Sequence, residues 1–237
     1  MNTVIPILLP GFLLMSIAPT LSWQSNKIRK SKIYVITFLS LSFIVLIQSY
    51  FTIFNTWGFL GILLGTWVIL ASLLSIIFSV KFSLNFHYLK NINAFIGHIG
   101  VGILIIGITC SSVFKKESDF TIGINDQIQL GKIIIKLEDI IITENSNFQS
   151  LRGKFLLKSK EKKLDVIEAG KNYYYVSKII TSEVGIYHHW FNDIYIVFRD
   201  VENNKWNIKI YQNPMINFIW LGVLIMIFSG IIGIIKK

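Results

Sequence analysis

The sequence predicts an integral membrane α-helical protein with about five transmembrane helices and an inserted extracytoplasmic antiparallel β-domain of about 100 residues. Three observations predict this fold. The chain of 237 residues is 53% hydrophobic and only 15% charged, with a mean hydropathy of +0.59, too apolar for an ordinary soluble domain. Its apolar residues concentrate in stretches of about 20, the length that crosses a hydrocarbon core about 30 Å thick. Between the fourth and fifth stretches, the pattern changes to short β-branched and aromatic runs punctuated by turn residues.

The expected spans are Val4 to Leu21, Ile33 to Phe54, Trp57 to Val80, Ile92 to Phe114 and Ile216 to Ile235. The domains are thus residues 1–114 with four helices (4–21, 33–54, 57–80, 92–114), a β-domain over 115–214, and a C-terminal helix with a basic tail over 215–237. Pro6, Pro10 and Pro19 interrupt the first span, so its path through the membrane or along the interface is open. A signal peptide is the competing reading there, but Met1-Asn2-Thr3 has no basic residue and no small-residue cleavage site follows.

Charge sets the expected orientation. All 13 acidic residues lie between Glu117 and Glu202. Basic residues outside 115–214 occur at three places: Lys27, Arg29, Lys30 and Lys32; Lys81 and Lys90; and Lys236 and Lys237. Five spans put all three places on one side, which the positive-inside rule makes the cytoplasm or the mitochondrial matrix. The N-terminus, the Asn55-Thr56 turn and the β-domain are then outside. A net charge of +10 raises the question of nucleic acid, but these anchors account for the excess and the outer segment is nearly balanced. The one cysteine, Cys110, forms no internal disulfide and reads as a small packing residue.

The expected strands are Phe120 to Ile124, Gln127 to Leu130, Lys132 to Leu137, Gly153 to Lys158, Leu164 to Glu168, Ile194 to Arg199 and Trp206 to Tyr211, forming a small antiparallel sheet or barrel. Turns are expected at Asn125-Asp126, Gly131, Ser159 to Lys163 and Glu202-Asn203-Asn204. The segment holds no Gly-rich phosphate loop, zinc-spaced Cys/His cluster or nucleophile elbow. In the third span, Gly58, Gly61 and Gly65 share a face, and Gly61-xxx-Gly65 is read as a helix-packing pattern. The abundance of Ile, Lys and Asn suits an AT-rich genome, such as that of an endosymbiont or organelle.

His98 is the one His, Lys, Arg, Asp or Glu inside an expected span, about 9 Å along it from Ile92. Ala94 and Phe95 lie one turn before it and Val101 and Gly102 one turn after, while Gly97 and Gly100 thin the helix, leaving room for something flat. Three roles are open for it: a hydrogen bond to a neighbouring helix, ligation of haem iron, or a proton relay. His87 is expected at the inner interface beside Tyr88, and His188 and His189 at the outer surface before Trp190. None lies at the depth of His98, so a second axial ligand would have to come from another chain.

These features in this order resemble the C-terminal part of the CcmF/NrfE family of cytochrome c-type biogenesis proteins, membrane haem lyases. The residues are Ile7 to Pro19, which look like the family's helix ending in Gly-Ile-Gly/Ala-Pro, and Ala94 to Thr109, similar to its Ala-His-Leu-Gly-Val-Ala helix. Ser182-Glu183, Asp193-Ile194-Tyr195-Ile196, Tyr211-Gln212-Asn213-Pro214 and Trp220-Leu221-Gly222 resemble its Thr-Glu, Asp-Leu-Tyr-Val, Tyr-Tyr-Lys-Pro and Trp-Ile-Trp-Leu-Gly elements. The resemblance implies that His98 is an axial ligand of an intramembrane haem b, with Gly97, Gly102 and Ala94 packing on its face. It implies transfer of haem from a carrier protein to the Cys-x-x-Cys-His thiols of an apocytochrome c. Further partners implied are an N-terminal haem lyase fragment or subunit and a thiol-presenting chaperone, all acting at a bacterial inner or mitochondrial inner membrane. Glu183, Asp193 and Tyr195 become structural or partner-docking residues.

The chain departs from the family in having no tryptophan-rich haem-binding segment and no outer histidine pair flanking one. It is therefore expected to be a split-gene product or a fragment, inactive as a lyase alone. Asn172 follows Lys171 where the family has Lys-Arg, which unsettles any salt bridge there. The competing class is a non-haem membrane scaffold or transporter half whose outer domain docks partners.

Overall fold

The structure, a computed structural model, describes residues 55–82, 92–159, 162–202 and 205–235, with Gly11 alone before them. The expected spans at 4–21 and 33–54 lie outside the described residues, as do His87 and the basic residues 27–32, Lys90, Lys236 and Lys237. The chain divides into two compact units, with Lys115–Pro214 forming the second.

In the first unit the described helices are α1 (Thr56–Phe82), α2 (Ile92–Val113) and α3 (Ile216–Ile235), all long and apolar enough to cross a membrane. Asn55 starts α1 as an N-cap, its Oδ1 accepting the backbone N–H groups of Trp57 and Gly58 at 3.1 Å. Helix α2 is the central one, in contact with both α1 and α3. Backbones approach closely at two crossings. A Cβ on Gly65 would lie 2.8 Å from the Gly102 carbonyl oxygen, and one on Gly100 would lie 2.8 Å from that of Gly222. Only glycine allows such separations, as the Gly61-xxx-Gly65 pattern leads one to expect.

The second unit is an antiparallel β-sandwich. Its strands are β1 (Lys116–Ile122), β2 (Gln127–Leu130), β3 (Ile133–Glu144), β4 (Phe148–Ser159), β5 (Lys162–Tyr174), β6 (Ile180–Glu183), β7 (Gly185–Tyr187), β8 (Asn192–Glu202) and β9 (Lys205–Pro214). One sheet has the order β1-β9-β8-β7 and the other β2-β3-β4-β5-β6. The period of two explains the core. Ile135 and Leu137 face Leu157 and Phe155 across β3 and β4, while Ile196 and Phe198 face Ile210 and Ile208 across β8 and β9, all buried. These two apolar faces join one cluster. The expected turns at Asn125 and Gly131 have left-handed backbone, with φ of 72° and 64°.

The sequence left sheet and barrel open, and the answer is two sheets. Strands β6 and β7 were outside the expected set because each has only three or four residues, most of them exposed. Strands β3, β4 and β5 run longer than their apolar cores because the ladders continue through Asp139, Gln149 and Asn172, whose side chains carry no strand signal.

Candidate functional site

His98 sits in the second turn of α2 and is half-buried. Its Nδ1 lies 2.6 Å from the carbonyl oxygen of Ala94, one turn earlier. A carbonyl only accepts, so Nδ1 carries the proton and donates, and Nε2 is left as the lone-pair nitrogen. Metal-ligating histidines use this arrangement, with the second nitrogen held by a carbonyl or carboxylate. The same bond satisfies one ring nitrogen within α2 itself, without a neighbouring helix.

The packing of α2 determines which way this nitrogen faces. Gly102, Ile106 and Thr109 meet α1, while Gly97, Gly100, Leu104 and Gly107 meet α3. At about 100° per residue these stripes lie on opposite sides of α2. His98 lies at the edge of the α1-facing stripe, about 20° around from Thr109 and about 40° from Gly102, and about 100° from Gly97. Ala94, exposed, shares its lateral side. Of the residues expected to pack on a haem face, Gly102 lies against Ile69 and the Gly65 carbonyl, and Gly97 lies 3.0 Å, by its absent Cβ, from Ser229 Oγ. Their smallness serves the helix crossings that flank His98. Near the start of α2, Ser229 of α3 donates its hydroxyl to the carbonyl of Asn93, a polar tie between the helices one turn before Gly97.

The β-domain residues singled out from sequence divide into two kinds. Asp193 is buried at the start of β8, where Oδ1 accepts the His189 backbone N–H at 3.0 Å and Oδ2 pairs with His188 Nδ1 at 2.9 Å. It braces the β7–β8 loop. Tyr195, two residues on and half-buried, has its hydroxyl pKa raised by burial and then by Asp193. Glu183 is exposed at the end of β6 and accepts a 3.0 Å hydrogen bond from Nδ2 of buried Asn172. Asn172 thus makes a neutral contact to Glu183 across the β5–β6 pair. Glu183 and Asp193 belong to different sheets.

Sequence reasoning treated His188 and His189 alike, as neighbours that on a strand would face opposite ways. They lie in a loop, where the His188 ring reaches Asp193. The signal available was the spacing from His188 to Asp193, which means nothing until the loop conformation is known. Among the described residues no group of three or more His, Cys, Asp and Glu side chains could hold a metal ion.

Comparison with known proteins adds the following. Residues 113–214 match the CcmF C-terminal beta-sandwich family. A cytochrome c-type biogenesis protein CcmF from Escherichia coli is 21% identical over 234 residues, 95% of this chain and 35% of the relative. The CcmF of Pseudomonas aeruginosa is 24% identical over 143 residues, 60% of this chain and 22% of the relative. The NrfE of Haemophilus influenzae is 24% identical over 147 residues, 62% of this chain and 23% of the relative. The chain therefore spans about a fifth to a third of the length of these curated relatives. A solved structure of the cytochrome c heme lyase CcmF shares its fold, with a TM-score of 0.76 at 12% identity, covering 96% of this chain and 39% of that one.

Proposed function

This chain corresponds to the C-terminal part of the CcmF-type cytochrome c biogenesis proteins, and on that premise we propose that it is a membrane subunit of a cytochrome c haem lyase. It takes part in the covalent attachment of haem to the Cys-x-x-Cys-His thiols of apocytochrome c. The observation that carries the reading is a CcmF-type β-sandwich inserted in sequence between two membrane-length helices, the first of which carries a histidine whose Nδ1 is tied to a carbonyl, leaving Nε2 as the ligating nitrogen.

In this reading His98 is one axial ligand of a haem b within the membrane. The donor set fits: the Ala94 carbonyl fixes the tautomer, and half-buried His98 lies at the edge of the α1-facing stripe of α2, away from the face that meets α3. Ala94 lies on the haem face, and Gly97 and Gly102 flank it by letting the helices close. The second axial ligand and the tryptophan-rich haem-binding segment come from an N-terminal lyase fragment or subunit. Once bound, the haem supplies a one-electron redox centre. The chain's own residues bind it and keep the imidazole in a single tautomer. The β-domain, placed outside, offers Glu183 and Tyr195 as contacts for the haem carrier, the apocytochrome or its thiol-presenting chaperone, while Asp193 holds the neighbouring loop.

The test is the visible absorption spectrum of the detergent-purified chain, alone and with its N-terminal partner, in wild type and His98→Ala. A reduced low-spin b-type spectrum that needs the partner and disappears in the variant supports the reading. Absence of haem from wild type with partner, or a spectrum unchanged by the substitution, overturns it in favour of a non-haem scaffold.

A further inference from the structure

The β7–β8 loop of the β-domain offers a second imidazole. Its residues, His188 to Phe191, join Tyr187 to Asn192. The side chain of Asp193 is 2% exposed and that of His188 is 72% exposed, yet Nδ1 and Oδ2 are 2.9 Å apart. The carboxylate is itself fixed, since its other oxygen accepts the His189 backbone N–H. A carboxylate oxygen accepts, so His188 Nδ1 carries the proton and, in the neutral ring, Nε2 is the lone-pair nitrogen. Among the described residues Nε2 has no partner, and the exposed ring presents it to solvent. A carboxylate behind an imidazole is the arrangement that orients and strengthens metal-ligating histidines.

His189 is held differently. Its ring stacks on Tyr187 at 6.4 Å between centroids, and its carbonyl accepts the Asn192 N–H, which closes the turn. Trp190 and Phe191 follow, 68% and 61% exposed. The loop therefore combines one oriented imidazole with two exposed aromatic side chains.

The kind of ligand follows from what the loop lacks. A bare transition-metal ion needs several protein donors, and no group of three or more lies among the described residues. An iron porphyrin brings its own four equatorial nitrogens and asks the protein only for an axial one. Its flat apolar face also suits indole and phenyl side chains. We propose that the β7–β8 loop is a haem contact site in the β-domain, with His188 Nε2 as axial ligand, Trp190 and Phe191 against the macrocycle, and Asp193 as the positioning residue. Choosing haem as the flat ligand rests on the proposed lyase function, whereas the site shares no residue with His98.

The experiment is a titration of the full chain in detergent with ferric protoporphyrin IX, carried out in a His98→Ala background and followed by the Soret band and the spin state. The background chain is expected to give a histidine-ligated spectrum. His188→Asn retains an N–H donor for Asp193 but removes Nε2, so it should abolish that spectrum and raise the apparent Kd at least about 10-fold, with circular dichroism unchanged. Asp193→Asn should weaken binding by about 10- to 100-fold while preserving the ligated band at saturation. Trp190→Ala should weaken binding with the ligation signature intact. A background chain without a histidine-ligated spectrum, or one that His188→Asn does not alter, overturns the proposal. The outcome is separable from the His98 reading, since an intramembrane haem can be absent while this site binds, and the reverse.

Discussion

At the scale of single residues, the side chains that the sequence marked are distinguished by what their hydrogen bonds satisfy. The two carboxylates of the resemblance do different work. Asp193→Ala removes a buried carboxylate that accepts from the His189 N–H and from His188 Nδ1, and should cost about 1–3 kcal/mol of stability, measured by denaturant unfolding of the full chain in detergent. Glu183→Ala, at an exposed position, should cost much less and act on partner binding instead, and a larger loss than for Asp193→Ala would reverse these assignments. Glu117 provides a pH test. Hydrogen bonds from Lys209 and Lys115 hold its carboxyl below the usual range, and the Glu117 bond raises the Lys209 ammonium in turn. A carboxyl lowered by folding contributes stability above its unfolded value, about 4.5, and that contribution disappears as pH falls through the folded value. Glu117→Gln should therefore flatten the acid limb of the stability curve below about pH 4.5, with added salt shrinking the difference between variant and wild type because the pair is exposed. A variant curve that parallels wild type through this range would remove the ion pair from the stability of β1 on β9.

At the scale of elements, the glycine pattern foretold a helix contact and the structure supplies its partners. Gly65 meets Gly102, and Gly100 meets Gly222, with the facing backbone carbonyl among the obstacles in each case. Gly100→Ala should consequently lower the detergent melting stability by about 1–3 kcal/mol, whereas Gly230→Ala, with nothing within 4 Å of its Cβ, should leave it unchanged or raise it. Equal effects at the two sites would mean that α2 and α3 do not close at Gly100. Legibility followed the same physics. Helices showed because twenty apolar residues admit few alternatives, and β8 and β9 showed because Ile194, Ile196, Phe198, Ile208 and Ile210 alternate into the core. The edge strands β6 and β7 were invisible since an exposed three- or four-residue strand buries too little to leave a period. His98 could be found from its apolar surroundings alone, but its tautomer could not, since this depends on the Ala94 carbonyl. His188 was harder still, because its partner Asp193 is brought near by a loop whose course no side-chain pattern encodes.

At the scale of the whole molecule, orientation is the property on which the proposed function depends, and α2 alone is enough to test it. If α2 crosses the membrane, the segment 83–91 before it and the β-domain after it lie on opposite sides, whatever residues 1–54 do. Aromatic placement agrees with such a crossing. Gly58 packs against Val113 and Phe114, and Gly107 against Ile219, so the start of α1, the end of α2 and the start of α3 share one end of the helical unit. Trp57, Phe114 and Trp220 all lie at that end and are 51%, 38% and 67% exposed, as residues of an interfacial belt would be. The basic residues Lys81 and Lys90 flank the other end of the α1–α2 pair in sequence, which the positive-inside rule places in the cytoplasm or matrix. In a Cys110→Ala background, Ser146→Cys in the β3–β4 turn should react with a membrane-impermeant maleimide added to intact spheroplasts or mitoplasts. Lys90→Cys should react only after the membrane is opened. The opposite pattern would put the β-domain on the side where apocytochrome c is not matured, and with it would go the lyase reading. Labelling of both cysteines without permeabilisation would mean that α2 does not cross at all, and His98 would then have no membrane in which to hold a haem.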